Sequence, residues 1–185
     1  ADERRWVWQN PRPQGNQLSS VFFVDAQTGW AVGDVGTIIN TTNGGASWTS
    51  QDSGTTAGLR SIAFVDTRTG WAVGTNGAIL KTADGGKNWL AQNSRANQIL
   101  ESVTFVDAQN GWTVGKDGTI LHTNDGGTTW ERQTSGTFNW LLSVRFVDVR
   151  NGWAVGWYGT ILYTSDGGAT WTRQTSGTSF DLYSV

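Results

Sequence analysis

The chain has no cysteine and no methionine, only two prolines, and no basic run longer than Arg4-Arg5. Without cysteine, disulfides and thiolate chemistry are excluded, while the redox compartment stays open. A sequence without methionine that begins Ala1-Asp2-Glu3 reads as a processed mature protein or as a piece of a longer one. Thirteen basic and fifteen acidic residues leave a net charge of −2, so neither nucleic acid nor an anionic membrane is an expected partner. The apolar runs are a few residues long, far below the roughly 20 needed to span a bilayer, so no membrane insertion is expected. No window keeps a helical apolar period beyond a turn or two.

What the chain does have is glycine, 25 residues, and tryptophan, 12 residues, arranged with a period. Gly-Trp-Ala-Val-Gly at Gly29–Gly33 returns at Gly70, at Gly111 with Thr113 for alanine, and at Gly152, a constant spacing of 41 residues. A second series, Trp48, Trp89, Trp130 and Trp171, keeps the same period. A repeat of this length marks a solenoid, a propeller or an array of stacked units, each of which needs its neighbours to bury its apolar face.

In the second unit, Leu59 to Asp66 reads as a strand, Thr67 to Gly70 as a turn and Trp71 to Val73 as a second strand. Gly74-Thr75-Asn76-Gly77 supplies residues that tolerate positive φ, and Ala78 to Thr82 and Asn88 to Gln92 complete a four-stranded meander. Four strands in about 40 residues is the signature of a propeller blade. The fold class is therefore all-β: a β-propeller or propeller segment of four-stranded antiparallel blades forming a single domain over 1–185. The blades are expected at about 18–53, 59–94, 100–135 and 141–176, with partial-blade strands at 6–10 and 180–185. Leu18, Leu59, Leu100, Leu141 and Leu182 open the innermost strands, and Phe23, Phe64, Phe105 and Phe146 are placed for packing between blades. The terminal pieces duplicate rather than complement each other, so a truncated longer array is the simplest reading; closure with four or five blades, or pairing between chains, stays open.

Between the third and fourth strands stand Thr82-Ala83-Asp84-Gly85-Gly86-Lys87-Asn88-Trp89, Thr123-Asn124-Asp125-Gly126-Gly127-Thr128-Thr129-Trp130 and Thr164-Ser165-Asp166-Gly167-Gly168-Ala169-Thr170-Trp171, with Asn43 replacing the aspartate in the first copy. A short carboxylate or amide there accepts backbone N–H bonds from residues two or three on, and the tryptophan folds back over the turn. This pattern resembles the Asp-box, or bacterial neuraminidase repeat, of propeller proteins. With the Gly-Trp-Ala-Val-Gly strand and the Gly-x-x-Gly-Thr-Ile turn, the unit resembles the repeats of the photosystem II assembly and stability factor family over residues 6–185. That resemblance implies a seven-bladed, non-enzymatic assembly chaperone in photosynthetic organisms, and among non-photosynthetic relatives mostly uncharacterised exported or surface proteins. The four and a half units present here fall short of seven.

Asn43, Trp48, Asp84, Trp89, Asp125, Trp130, Asp166 and Trp171 are thus expected to be structural. The acids at repeated places, Asp25, Asp66, Asp107 and Asp148 among them, are spread over the blades, whereas a catalytic constellation converges at one place. Each box offers one carboxylate without the alternating acidic series of a calcium loop. Sialidases, for which the Asp-box is named, imply an arginine triad, a tyrosine nucleophile with a glutamate partner, and an Arg-Ile-Pro segment. Here Pro13 follows Arg12, the glutamates are Glu3, Glu101 and Glu131, and no tyrosine can be placed beside one. The glycine turns such as Gly33-Asp34-Val35-Gly36 lead into strands and lack a P-loop ending. No catalytic residue, metal or cofactor is expected, and the lone His122 is expected to face solvent from its strand.

The copies differ mainly at one end of the blades. The second-to-third turns carry Asp34-Val35, Thr75-Asn76, Lys116-Asp117 and Trp157-Tyr158, and the connections between blades vary as well. Trp8, Trp140 and Trp157 stand outside the two periodic tryptophan series. Phe138, Asn139, Trp140, Trp157 and Tyr158 are the candidate binding residues, because aromatics beside an asparagine suit a protein hot spot or stacking on a sugar ring; the alternative is that they pack on one another over an irregular connection. The expected function is a non-catalytic scaffold presenting this face to a protein partner, in an extracellular, periplasmic or cell-surface setting. The alternatives are a carbohydrate-binding or accessory domain of a glycoside-acting enzyme, and a structural subunit that self-associates through its terminal strands.

Overall fold

The computed structural model describes residues 15–185. The strand expected at 6–10, and Trp8 with it, lie outside the described residues. The first four strands are β1 (Leu18–Phe23), β2 (Gly29–Gly33), β3 (Ile38–Thr41) and β4 (Thr49–Gln51), and the next are β5 (Leu59–Phe64), β6 (Gly70–Gly74), β7 (Ile79–Thr82) and β8 (Leu90–Gln92). They are followed by β9 (Leu100–Phe105), β10 (Gly111–Gly115), β11 (Ile120–Thr123) and β12 (Glu131–Gln133), then β13 (Leu141–Phe146), β14 (Gly152–Gly156), β15 (Thr160–Thr164) and β16 (Thr172–Gln174). Each consecutive four form one antiparallel sheet in sequence order. The architecture is the all-β array of four-stranded propeller blades that the 41-residue period predicts.

Each blade grades from a covered centre to a wet rim. The second strands are buried at nearly every residue, because both faces of Gly-Trp-Ala-Val-Gly are covered. The fourth strands are short and mostly exposed, and polar apart from Leu90 and Ala91 of β8, which blunts the outer edge of each sheet. Gly29 and Gly70 lie beneath the rings of Phe23 and Phe64, where an added Cβ would sit 2.7 and 2.6 Å from ring carbons. Only glycine allows that ring to lie flat on the strand beside it.

One feature of the inner strands escaped sequence reading. The register slips by one residue between Leu18 and Ser20, and again between Leu59 and Ser61, Leu100 and Ser102, and Leu141 and Ser143. These bulges leave the serine able to reach across the gap between blades. Ser61 Oγ accepts the Val103 N–H and Ser102 Oγ the Val144 N–H, both at 3.2 Å, so side chains couple the innermost strands where no ladder does.

Residues 180–185 form no strand. They nevertheless run along the path of a further inner strand: the Leu182 N–H donates to Gly156 O at 3.1 Å, and the Val185 N–H to Ser143 Oγ at 3.3 Å. Among the described residues there is no second strand for this segment to pair with, so the ladder that defines a strand is missing.

The core lies between blades rather than inside any one of them, in three clusters that each draw on two neighbouring sheets. At its centre is a phenylalanine held by two tryptophans. Trp30 of the first blade stacks on Phe64 of the second at 3.6 Å and 10°, and Trp89 meets the same ring edge-on at 6.0 Å and 89°. Trp71, Phe105 and Trp130 repeat this arrangement, as do Trp112, Phe146 and Trp171. Each such ring removes about 150–250 Å² from water, a gross gain of about 4–6 kcal/mol at ~25 cal/mol/Å² and an upper bound for a compact denatured chain.

Candidate binding face

Each Asp-box closes on itself. In the second blade the Thr82 hydroxyl donates to Asp84 Oδ1 at 2.9 Å, the same oxygen accepts the Asn88 N–H at 2.9 Å, and Asp84 Oδ2 accepts the Asn88 amide at 2.7 Å. Asp125 and Asp166 bind Thr129 and Thr170 in the same way, through backbone N–H and hydroxyl. Asn43 makes the corresponding bonds to the Ser47 N–H and hydroxyl. The acceptor therefore reaches four residues on, not two or three, because the glycine pair between them takes left-handed φ, +75° and +88° at Gly85 and Gly86.

These donors stabilise the charged carboxylate. The Asn88 side chain and backbone N–H hold Asp84 down to about 2, and the Thr170 hydroxyl and N–H hold Asp166 down to about 2. Asp25 and Asp66 each accept two backbone N–H groups at 2.7 Å, which lowers them as well. Every one of these acids is engaged within its own turn. Among the described residues no group of three or more His, Asp or Glu is placed to hold a metal ion.

The box tryptophans fasten blade to blade. Gln51 donates to Gly85 O at 3.0 Å and accepts the Trp89 indole N–H at 3.2 Å, while the Trp30 N–H donates to that same Gly85 carbonyl at 3.2 Å. Gln133, Gly167, Trp171 and Trp112 repeat the set between the third and fourth blades. Between the second and third, Gln92 turns back to Leu90 O, and the buried Trp130 N–H has no protein partner.

His122 faces solvent only in part. It is half-buried and stacks on Trp112 at 4.7 Å and 23°, the place Lys81 takes above Trp71 at 5.5 Å. Burial lowers its pKa, with Glu131 opposing. Strand alternation gives the direction of a side chain but not the width of the indole beside it, so the stack was not foreseen.

At the variable end, the second-to-third turns are tied to the connections between blades. The Gly36, Gly77 and Gly159 N–H groups donate to Ala57, Gln98 and Phe180 carbonyls at 2.8–2.9 Å. The close approach needs glycine in the left-handed region, φ +67° at Gly77, where any Cβ would strike the Ala96 carbonyl. The residue before that glycine is also left-handed: Val35, Asn76, Asp117 and Tyr158, at φ +55° to +59°.

The five candidate binding residues come to this end, with different roles. Trp140 and Trp157 pack at 4.8 Å and 55°, and Tyr158 meets Trp157 edge-on at 6.1 Å. Tyr158 is 62% exposed, while both tryptophans are partly covered. Phe138 is 91% exposed, and among the described residues it makes no ring contact with the other three. Asn139 is a brace: its amide donates to Thr160 Oγ1 at 2.8 Å and to Trp157 O at 3.5 Å, so it is taken up inside the face.

Sequence reading put three further residues at the variable end without bringing them to these aromatics. Lys116 lies over the Trp140 ring at 6.0 Å, Phe180 is 81% exposed beside the turn whose Gly159 N–H its carbonyl accepts, and Asp181 accepts the Tyr158 N–H at 3.0 Å. Lys116 belongs to the preceding blade's turn, so a strand-by-strand comparison of copies could not bring it to Trp140. The inner strands also line a cleft of ≈ 470 Å³ that includes Phe22, Ala63, Thr104 and Arg145, the last its one charged side chain among the described residues.

Residues 47–137 match the family model of the Photosynthesis system II assembly factor YCF48. The match takes in 91 of the 185 residues, and the central repeats are similar to those of the photosystem II assembly factor family. Among solved structures, YCF48 bound to D1 peptide superimposes with a TM-score of 0.64 at 16% identity, over 95% of this chain and 86% of that one. YCF48 from Cyanidioschyzon merolae gives a TM-score of 0.72 at 20% identity, over 96% of this chain and 62% of that one. An ancestral GH74 enzyme gives 0.73 at 17% identity, over 92% of this chain but 26% of the enzyme. At these identities the likeness is one of fold, shared by assembly-factor and glycoside-hydrolase propellers alike. The chain spans less than two thirds of the Cyanidioschyzon protein and about a quarter of the GH74 enzyme. No curated protein matches the sequence.

Proposed function

We propose that this protein is a non-catalytic scaffold that binds a protein partner through the aromatic end of its fourth blade. The observation that carries this reading is Tyr158. A bulky aromatic side chain stands 62% exposed on a left-handed backbone, in contact with Trp157 of the Trp140–Trp157 pair, where the first three blades place Val35, Asn76 and Asp117. A strained residue that adds exposed aromatic surface points to selection for something other than folding. The asparagine that a sugar would use is already bonded within the face, which favours apolar peptide side chains over a glycan. The kinship of the repeats to the assembly factor, and a related fold solved with a peptide bound, support a peptide-binding role. The non-catalytic reading rests on carboxylates engaged one by one in their own turns. Export to the periplasm, cell surface or exterior is part of the proposal.

The test is affinity capture from the source organism with wild type, Trp157→Ala and Tyr158→Asn, with binding to purified candidates then measured by calorimetry, beside a glycan array. The expected result is a protein partner whose affinity falls at least ten-fold in both variants. Glycan binding lost on the same substitutions, without a protein partner, would overturn the reading.

A further inference from the structure

We propose that the outer rim of the junction between the second and third blades binds an acidic side chain of a protein partner, its carboxylate held by Lys81 and the Trp130 indole N–H. Both blades are flanked by described blades on either side. The two other junctions show what this one lacks. There a fourth-strand glutamine, Gln51 or Gln133, offers its amide oxygen to the box tryptophan, Trp89 or Trp171, at 3.2 and 3.1 Å. At the middle junction Gln92 donates to Leu90 O of its own strand instead. Trp130 is 3% exposed, and its N–H has no partner among the described residues. A Cβ built on Gly86 or Gly168 would lie 2.0 Å from the glutamine oxygen, whereas on Gly127 the nearest atoms are the indole nitrogens of Trp71 and Trp130, at 3.1 and 3.3 Å.

Lys81 brings the charge to this place. Its Nζ lies 5.5 Å from the centre of the Trp71 ring and 3.0 Å from a Cβ built on Gly126, the residue next to Gly127. It is half-buried and makes no ion pair among the described residues. The third blade shows the partner that a basic side chain takes at this position: His122 stands opposite Glu131 in the ladder, and the Glu131 charge acts on it. In the second blade the residue opposite Lys81 is Leu90, 66% exposed, where the first and fourth blades carry Thr49 and Thr172. The sheet thus presents a cation and an apolar side chain but no carboxylate. Lys81 and the Trp130 indole are both donors, and Gly126 O already accepts the Trp71 N–H at 3.0 Å, so the group this place calls for is an acceptor oxygen. A carboxylate serves both donors with charge-assisted bonds, and an apolar side chain of the same segment covers Leu90. Lys81, tethered among the described residues only by the Trp71 ring, swings aside to admit it.

The site shares no residue with the aromatic end of the fourth blade, so it stands or falls separately from the binding proposed above. Two blocked tripeptides, acetyl-Leu-Glu-Leu-amide and acetyl-Leu-Gln-Leu-amide, and sodium acetate are titrated into the isotope-labelled full chain while its indole N–H resonances are followed; Trp130→Phe assigns the Trp130 signal. The glutamate peptide is expected to shift that signal saturably, and the glutamine peptide to bind about ten-fold more weakly, the difference between a charged and a neutral acceptor. Lys81→Asn, which gives the second blade the residue type of Asn40 in the first, should abolish the preference for glutamate with wild-type circular dichroism. Leu90→Thr, the residue type of Thr49 and Thr172, should weaken the glutamate peptide about five-fold and leave acetate unchanged. Equal affinity for the two peptides, an undiminished preference in Lys81→Asn, or a Trp130 signal that no peptide moves would overturn the proposal. Acetate binding as tightly as the glutamate peptide would overturn it as well, since the site would then take a free carboxylate rather than a protein segment.

Discussion

Val35 and Tyr158 hold φ of +55° and +57°, a region in which a β-branched or bulky residue is strained and asparagine is at ease. Their equivalents Asn76 and Asp117 adopt the same angles. Val35→Asn should therefore raise stability by about 1 kcal/mol, a melting temperature gain of about 2–4 °C for a chain of this size. Tyr158→Asn should gain a similar amount, since its N–H bond to Asp181 belongs to the backbone and survives the change. The two variants part in binding: Val35→Asn leaves the partner's affinity alone, and Tyr158→Asn loses it. Thermal melts with binding isotherms on both would show whether strain and recognition coincide at Tyr158; an unchanged affinity there would remove that link. Sequence comparison marked Tyr158 as aberrant among the copies. It could not show the cost, because the positive φ comes from the turn-to-connection bonds that pin this turn. The bracing role of Asn139 was out of sight for a related reason, since its two acceptors are 18 and 21 residues away.

At the scale of the element, the Asp-box was legible in spacing and composition, because its partners lie within four residues. Its titration follows from its donors. A carboxylate held at about 2 in the fold and near 3.8 when unfolded contributes stability that is complete above the unfolded value and is lost as pH falls through the folded one. The melting temperature should thus fall between about pH 4 and pH 2, with all the lowered aspartates contributing. Asn43 shows how the box works without charge: its amide donates to the Ser47 hydroxyl at 2.9 Å, while its oxygen accepts the Ser47 N–H. Thr129 and Thr170 offer a hydroxyl at the matching place. An Asp125→Asn/Asp166→Asn variant is expected to melt near the wild-type temperature at pH 7 and to show a shallower acid decline. Equal acid slopes for the two proteins would place the sensitivity outside the boxes. Elements whose partners lie in another blade were harder to foresee: the serine bridges depend on a bulge, and the Gln51 and Gln133 bridges join strands 34 to 38 residues from their partners.

Over the whole molecule, the period makes energetics as well as shape repetitive. Phe23, Phe64, Phe105 and Phe146 are the same residue in the same strand, each above a glycine of the neighbouring strand and each edge-on to its own box tryptophan. They differ only in whether a preceding described blade presses a tryptophan face onto the ring. For Phe64, Phe105 and Phe146 it does, at 3.5 to 3.6 Å. Alanine at any of these three leaves a cavity between two indoles and should cost about 3–5 kcal/mol. Phe23→Ala opens no enclosed cavity and should cost about 1 kcal/mol. Because each blade touches only its neighbours, the cost tracks the missing junction rather than position in the sequence. Urea unfolding of the four variants in dilute solution, followed by tryptophan fluorescence, gives the comparison directly. A Phe23→Ala cost equal to the other three would mean that stability resides within the blade, and that the stacked junctions which dominate the fold contribute little beyond it.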